Sequence, residues 1–101
     1  MEKLFAENEL YISGITEMEV FAGKDMENEE KKKKIIEMLS IFKKVNPTNE
    51  IFRLAGEFRR RYNITFPDCV IAATTYLLKA ELFTKNTKDF EKIEEIKIFL
   101  S

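Results

Sequence analysis

The sequence has no histidine and no tryptophan, and it contains only one cysteine, two prolines and three glycines. Without histidine, the chain cannot form the nucleophile–histidine pairs of many hydrolases or use imidazole as a metal ligand. The single cysteine, Cys69, excludes an internal disulfide, and its place in an apolar helical run favours a core position. Catalytic or metal chemistry is therefore expected to rest on carboxylate, amide and hydroxyl oxygens.

Long apolar runs are also absent, because no stretch reaches transmembrane length and the first residues lack the apolar core of a signal peptide. We therefore expect a cytoplasmic protein with no membrane partner. The length of 101 residues, with 45% hydrophobic residues and nine phenylalanines, is enough for one packed domain. A net charge of −1 excludes a charge-dominated nucleic-acid binder but leaves room for a local basic strip.

Helical and strand patterns alternate along the chain. Apolar spacing predicts helices that begin near residues 17, 35, 51 and 68, and short apolar runs predict strands near 10–12, 82–84 and 96–99. Residues 1–8 are predicted to be the last turns of a helix, and Val45 at most a stub of strand. Strands that alternate with helices predict an α/β domain with a mostly parallel sheet.

Four side chains with oxygen ligands stand at predicted strand ends or helix starts: Glu19, Asp68, Asn86 and Asp89. In a parallel sheet such positions converge on one edge, where two or three of them would hold Mg²⁺ or Mn²⁺ with several waters retained. Structural explanations compete with this one. Glu19 would complete a capping box with Thr16, and Asp68 would cap its helix. Asn86 and Asp89 are common turn residues.

Three segments in order, 13–23, 67–74 and 82–90, resemble the PIN domain and, more narrowly, the VapC toxin branch of bacterial and archaeal toxin–antitoxin pairs. The resemblance extends over nearly the whole chain. It implies a PIN-like three-layer α/β domain and a ribonuclease that depends on Mg²⁺ or Mn²⁺. It also implies a cognate antitoxin that holds the enzyme inactive, and a homodimer or higher homo-oligomer.

The resemblance also implies roles for particular residues. Glu19, Asp68 and Asn86 match the second, third and fourth acidic positions around the metal, and many members have aspartate at the fourth. Asp89 would assist them, and Thr84 matches the hydroxyl that lies beside the site. The metal would make a bound water nucleophilic near neutral pH and polarise the phosphodiester.

Basic residues near the motifs are candidates for guiding the RNA backbone: Lys85, Arg59, Arg60 and Arg61. The competing explanation is that they belong to a solvated face, which is the more common role of charge runs.

The chain departs from the PIN pattern at its start. The family begins with a strand that ends in an Asp-Thr-Asn motif, which supplies the first acid, and this segment is missing here. Residues 1–101 would then form a single, partial PIN-like domain that is truncated at its N-terminus. The missing strand is the central one, between the strands at 10–12 and 82–84, so we expect open strand edges that favour association between chains.

Three accounts fit this departure: an N-terminally shortened chain, a decayed toxin kept for binding, or direct pairing of the two neighbouring strands in a smaller sheet. Two functions remain open with them. One is a metal-dependent ribonuclease whose activity is impaired by loss of the first acidic ligand. The other is a non-catalytic PIN-like module that binds an antitoxin or RNA through the same surfaces.

Overall fold

Five strands and five helices make up residues 1–99, the part of the chain that the computed structural model describes; positions 100 and 101 of the predicted domain lie outside it. The strands are β1 (Lys3–Ala6), β2 (Glu9–Ser13), β3 (Lys43–Val45), β4 (Glu81–Phe83) and β5 (Lys97–Ile98). The helices are α1 (Gly14–Phe21), α2 (Glu29–Leu39), α3 (Asn49–Tyr62), α4 (Phe66–Leu77) and α5 (Thr87–Phe90), and a 3₁₀ turn covers Lys24–Glu27.

The strands form one sheet in the order β3-β2-β1-β4-β5. β2 pairs with β3 and β4 pairs with β5 in parallel, whereas β1 is antiparallel to both of its neighbours, β2 and β4. Four of the five strands therefore run in one direction and only the central one is reversed. The predicted α/β fold is confirmed, and the predicted parallel arrangement holds for every strand except β1.

The first eight residues differ from the prediction of a helix end. Leu4 and Ala6 are buried while Lys3 and Phe5 are exposed, which is the alternation of a strand with one face on the core. The hydrophobic run is too short to distinguish helix from strand by its period, and pairing with distant residues on both sides decides in favour of the strand. β1 occupies the central position, so the account in which β2 and β4 pair directly is wrong.

A two-residue turn joins β1 to β2. Glu7 and Asn8 both have positive φ, 50° and 63°, which is the backbone of a type I′ hairpin turn. Asparagine tolerates this left-handed region, but glutamate pays a steric cost there. The turn fixes the register in which Ala6 lies opposite Glu9. The open edges expected on β2 and β4 are therefore absent from the described sheet, because β1 covers both.

Replacing Glu7 by asparagine is expected to stabilise the fold by about 0.5–1 kcal/mol, since asparagine adopts positive φ at lower cost. Chemical denaturation of the parent chain and the Glu7→Asn variant would measure the difference in free energy of unfolding. Glu27→Asn, in the 3₁₀ turn, is a control for the loss of a carboxylate. An unchanged or lower stability of Glu7→Asn would argue against the hairpin and would favour the predicted helix end for residues 1–8.

Helices α3 and α4 pack against each other over the core. Thr48 caps α3, whose Ile51, Ala55 and Phe58 are buried, and Asn63 ends it with a φ of 52°. α4 is buried at every position from 69 to 75, which accounts for its almost continuous apolar sequence. No helix in residues 1–99 is long and apolar enough to cross a membrane.

Helix α2 begins at Glu29, earlier than the start predicted near residue 35. Asn28 caps it by accepting a hydrogen bond from the Lys31 N–H, so the charged residues from Glu29 onward form helix rather than loop. Of the apolar residues in this helix, Leu39 is buried whereas Met38 is 40% exposed. Most of the surface of α2 therefore faces away from the core.

Candidate functional site

One edge of the sheet gathers the polar side chains. β2 and β4 point in the same direction, so their carboxyl ends lie at this edge, and the reversed β1 begins there. Lys3 lies opposite Phe83, so the next pair outward along the same register places Glu2 beside Thr84. The Thr84 hydroxyl donates a hydrogen bond to Glu2 Oε2 over 2.9 Å. A carboxylate from the start of the chain therefore reaches the edge where the predicted site residues lie.

Asn86 joins two of the predicted acids. Its Nδ2 donates to Asp89 Oδ2 over 3.1 Å and to Asp68 Oδ2 over 3.4 Å. Its backbone N–H donates to Thr84 Oγ1 over 3.0 Å, which fixes the loop after β4. Asn86 is also the N-cap of α5, but its side chain makes no capping bond. Turn formation therefore does not explain the side chain, which is used to hold Asp68 and Asp89 together.

Glu19 reaches the site from α1, and its predicted capping box with Thr16 does not form. Ser13 is the N-cap instead, and its hydroxyl accepts a hydrogen bond from the Ile15 N–H over 3.1 Å. The helix consequently begins before Thr16, so the capping role that competed with a functional role for Glu19 is wrong. Glu2, Thr16 and Glu19 line a cavity of about 250 Å³ beside Met1.

Thr16 is itself unusual. Its side chain is only 2% exposed, and its Oγ1 has no hydrogen-bond partner among residues 1–99. Buried hydroxyls are nearly always bonded, because burial without a partner costs free energy. The residue that carries this orphaned hydroxyl thus lines the same cavity as the two glutamates.

Comparison with known proteins identifies the family. The sequence model described as "PIN domain" matches residues 1–96. The chain belongs to the PIN domain family. The PIN domain described here is similar to a chain in a toxin–antitoxin complex from Klebsiella pneumoniae, with 35% identity, a TM-score of 0.74, and coverage of 85% of this chain and 70% of that one. The predicted resemblance to the PIN domain is confirmed.

A second solved structure has the same fold. It is described as VapBC2 from Rickettsia felis bound to a DNA fragment from the promoter, and it matches with 24% identity and a TM-score of 0.75. The match covers 88% of this chain and 72% of that one. The comparison with curated proteins gave no match.

Burial and neighbouring negative charges raise the pKa of two acids of this PIN domain, Glu19 and Asp68. The pKa of Glu19 is raised by burial first, and then by the charges of Glu2 and Asp68. Burial also raises the pKa of Asp68, a hydrogen bond with Thr65 lowers it, and the charges of Glu2 and Asp89 raise it again. Glu2 thus acts on both of the other acids. Carboxylates that disfavour one another's ionisation form a region that attracts cations.

Stability should depend on this repulsion. A carboxyl whose pKa is higher in the folded than in the unfolded state stabilises the fold when protonated, and that contribution is lost as pH rises through the folded pKa. We therefore expect Glu19→Gln to raise the thermal midpoint at pH 7 in EDTA. The gain should disappear near pH 4, below the ordinary pKa of glutamate. Glu27→Gln, on the exposed 3₁₀ turn, should show no such gain.

Scanning calorimetry at the two pH values measures these shifts. An equal gain for Glu19→Gln at both would mean that something other than charge, such as helix propensity, causes it.

The site is better suited to a divalent cation that keeps several waters than to one surrounded by protein ligands alone. Within residues 1–99, no three histidine, cysteine or acidic side chains lie close enough together to enclose a metal ion. Mg²⁺, however, usually keeps several waters and binds through one or two carboxylates. Glu19 and Asp68 offer such carboxylates, with Asp89 held next to Asp68 through Asn86. The donor chemistry of the edge therefore suits Mg²⁺ or Mn²⁺.

The four residues predicted to contact RNA fall into two groups, those with structural partners and those that are exposed. Arg59 donates to Asn63 Oδ1 and to the Ile64 carbonyl, and lies over the Phe66 ring. Arg61 is bonded to Glu95 over 2.6 Å, so both side chains have structural partners. Lys85 and Arg60 are exposed, and Lys85 directly precedes Asn86. Lys85 is therefore the best placed of the four to meet a phosphate near the acids.

Sequence reasoning missed Glu2 and the orphaned Thr16 hydroxyl. The three polar residues Glu7, Asn8 and Glu9, between the apolar run at 4–6 and the apolar run that starts at Leu10, were the available signal for a hairpin. A hairpin would have placed the start of β1 beside the end of β4. No signal in the sequence distinguished Thr16 from Ser13 as the helix cap, since both are good capping residues.

Proposed function

We propose that this PIN domain is a VapC-type toxin that hydrolyses RNA with the help of Mg²⁺ or Mn²⁺ in the cytoplasm. The observation that carries the proposal is the group formed by Asp68, Asn86 and Asp89 at the carboxyl edge of the sheet, with Glu19 nearby. Family membership and the 35% identity to a chain from a toxin–antitoxin complex support the biological role.

Each residue has a role that its contacts support. Asp68 and Glu19 would hold the cation, and a bound divalent cation supplies a water of lowered pKa and polarises the phosphodiester. Asn86 orients the carboxylates of Asp68 and Asp89 through its amide N–H groups. Thr84 fixes the position of Asn86 by accepting its backbone N–H. Lys85 would bind an RNA phosphate as a mobile point charge.

The proposed activity is low. An amide at position 86 gives the site less negative charge than a carboxylate would, and its N–H groups already face the two aspartates. A cation bound by fewer charges is held less firmly and lowers the pKa of its water less. Because each tenfold loss in rate corresponds to about 1.4 kcal/mol of barrier, loose placement of the ion is costly.

Cleavage of a structured RNA tests the function. The chain is stripped of metal and incubated with labelled RNA in Mn²⁺, in Mg²⁺ and in EDTA. We expect slow cleavage with either ion and none in EDTA. Cleavage that persists in EDTA would show a metal-independent activity. Binding of the RNA without any cleavage would favour a non-catalytic PIN module, which is the second candidate function.

The second candidate is a non-catalytic PIN module that binds an antitoxin or RNA. Large apolar side chains exposed on α1 and in the turn after α2 favour it, among them Met18 at 59%, Phe21 at 44% and Ile41 at 66% exposure. Such residues are typical of surfaces that meet a partner. RNA binding measured by fluorescence anisotropy, together with no cleavage in Mn²⁺, is the result that distinguishes this candidate from the enzyme.

A homodimer or higher homo-oligomer is also proposed, for a reason other than open strand edges. Phe5 and Leu10 form a cross-strand pair that is 38% and 37% exposed, and Phe99 is 45% exposed. Burying apolar surface of this kind favours association. Sedimentation at micromolar concentration measures the state, and Phe5→Ser would weaken the association if this pair takes part.

A further inference from the structure

Glu2 differs from the other acids because it directly precedes β1, the strand that takes the central place in the sheet. The reversed direction of β1 brings its first residues to the edge where β2 and β4 end. Thr84 then holds the Glu2 carboxylate through a 2.9 Å hydrogen bond. Glu2 is thus placed by backbone register and by a side-chain bond, not by chance rotation of a surface residue.

The cavity next to Glu2 has the size and lining of a small cation site. Its volume is about 250 Å³, and its polar lining consists of Glu2, Glu19 and Thr16. Since a water molecule takes up about 30 Å³ in the liquid, the cavity has room for an ion with several waters. Thr16 is one of the lining residues, and its buried Oγ1 lacks a partner within residues 1–99, so a ligand there could satisfy this oxygen.

We propose that Glu2, Glu19 and the Thr16 hydroxyl bind a divalent cation in this cavity, which deepens the metal-dependent function proposed above and rests on it. The two carboxylates neutralise the charge of the ion, and Thr16 Oγ1 offers it, or one of its waters, a lone pair. Mg²⁺ and Mn²⁺ prefer such oxygen donors and accept a set completed by water. Glu2 thereby supplies the acid that the sequence pattern alone did not provide.

Metal titration of variants of the 101-residue chain tests the assignment. Mn²⁺ affinity is measured by calorimetry on the metal-stripped chain and on Glu2→Gln, Glu19→Gln and the double variant. Glutamine keeps an oxygen that accepts from Thr84, so the position of the side chain is retained. We expect each single substitution to weaken Mn²⁺ binding about tenfold. The double variant should lose less than the product of the two, because both residues serve one ion.

Thr16 provides a readout that a purely structural residue would not give. Thr16→Val should weaken Mn²⁺ binding and raise the thermal midpoint in EDTA, since it removes the orphaned hydroxyl while keeping the shape. Thr16→Ser keeps the hydroxyl and should retain the affinity. Glu27→Gln is the matched control for the glutamates and should bind Mn²⁺ like the parent chain.

The outcomes separate this site from the general function. If Glu2→Gln binds Mn²⁺ like the parent while Asp68→Asn or Glu19→Gln loses affinity, Glu2 is not a ligand and the metal-dependent function stands. If the parent chain binds Mn²⁺ through Glu2 and Glu19 but cleaves no RNA, the site is supported and the nuclease function is not. If the parent binds no Mn²⁺ at all, both proposals are overturned.

Discussion

Asp68→Asn is expected to reduce metal-dependent RNA cleavage by about 100-fold while the domain stays folded, in line with the cost of disturbing groups that hold a catalytic metal. Asparagine is nearly isosteric and still accepts the hydrogen bond from Asn86 Nδ2. It removes one negative charge from the edge of the sheet, where burial and then the charges of Glu2 and Asp89 raise the pKa of Asp68. The loss of RNA cleavage should therefore come from weaker cation binding and not from unfolding.

The structural alternative for Asp68 makes a different prediction. Asp68 lies in the first turn of α4, where a carboxylate interacts favourably with the helix N-terminus, and Thr65 caps that helix. Loss of this interaction would cost about 0.3–1 kcal/mol of stability. If Asp68 only stabilises α4, the variant should lose that much stability and cleave RNA at nearly the parental rate.

Three measurements on each protein decide between these expectations: the initial cleavage rate in saturating Mn²⁺, the Mn²⁺ affinity, and the free energy of unfolding in EDTA. Asp25→Asn is the matched control, because Asp25 is exposed and its side chain makes only a surface ion pair, with Lys31, among the described residues 1–99. A cleavage rate for Asp68→Asn within about threefold of that of Asp25→Asn would remove Asp68 from the site, since loss of a metal-holding group costs at least about tenfold.

Much of the fold follows from local sequence patterns. The apolar run after Asp68 predicts α4, and the structure buries that helix from residue 69 to 75. The strand predicted at 10–12 is confirmed within β2, and that at 82–84 overlaps β4, which ends at Phe83. Parallel direction of β2 and β4 is also what brings the ends of both strands, and the residues after them, to one edge.

The errors lie where distant contacts overrule local patterns. Residues 3–6 have no decisive period of their own, and their place is set by pairing with β4, about 80 positions later. Glu2 could not be assigned to the site without that pairing. Local capping rules allowed Thr16 as the start of α1, but Ser13, at the end of β2, caps the helix. Because the helix is capped by Ser13 and not by Thr16, the Thr16 hydroxyl is buried.

Asn86→Asp is expected to convert the weak site into a stronger one. In the parent chain the Asn86 amide donates hydrogen bonds to Asp68 and Asp89. Its N–H groups therefore fill the space between the two carboxylates. A third carboxylate there would remove both hydrogen bonds and add repulsion. In EDTA we therefore expect a loss of stability of about 1 kcal/mol.

Addition of Mn²⁺ should reverse that loss. More negative charge binds a divalent cation more tightly, and we expect the Mn²⁺ affinity of Asn86→Asp to rise about tenfold, which equals about 1.4 kcal/mol of binding free energy. Because an ion that binds only the folded state stabilises it, the thermal midpoint in saturating Mn²⁺ should increase more for the variant than for the parent. RNA cleavage should rise with it.

Asn28→Asp is the matched control, since Asn28 caps α2 and aspartate serves equally well as a cap. It should change neither Mn²⁺ affinity nor cleavage. If Asn86→Asp is destabilised in EDTA and Mn²⁺ does not restore its midpoint, the cation does not bind between Asp68 and Asp89. Asn86 would then be a structural link between α4 and α5, and the cation-binding part of the edge would be confined to the cavity of Glu2 and Glu19.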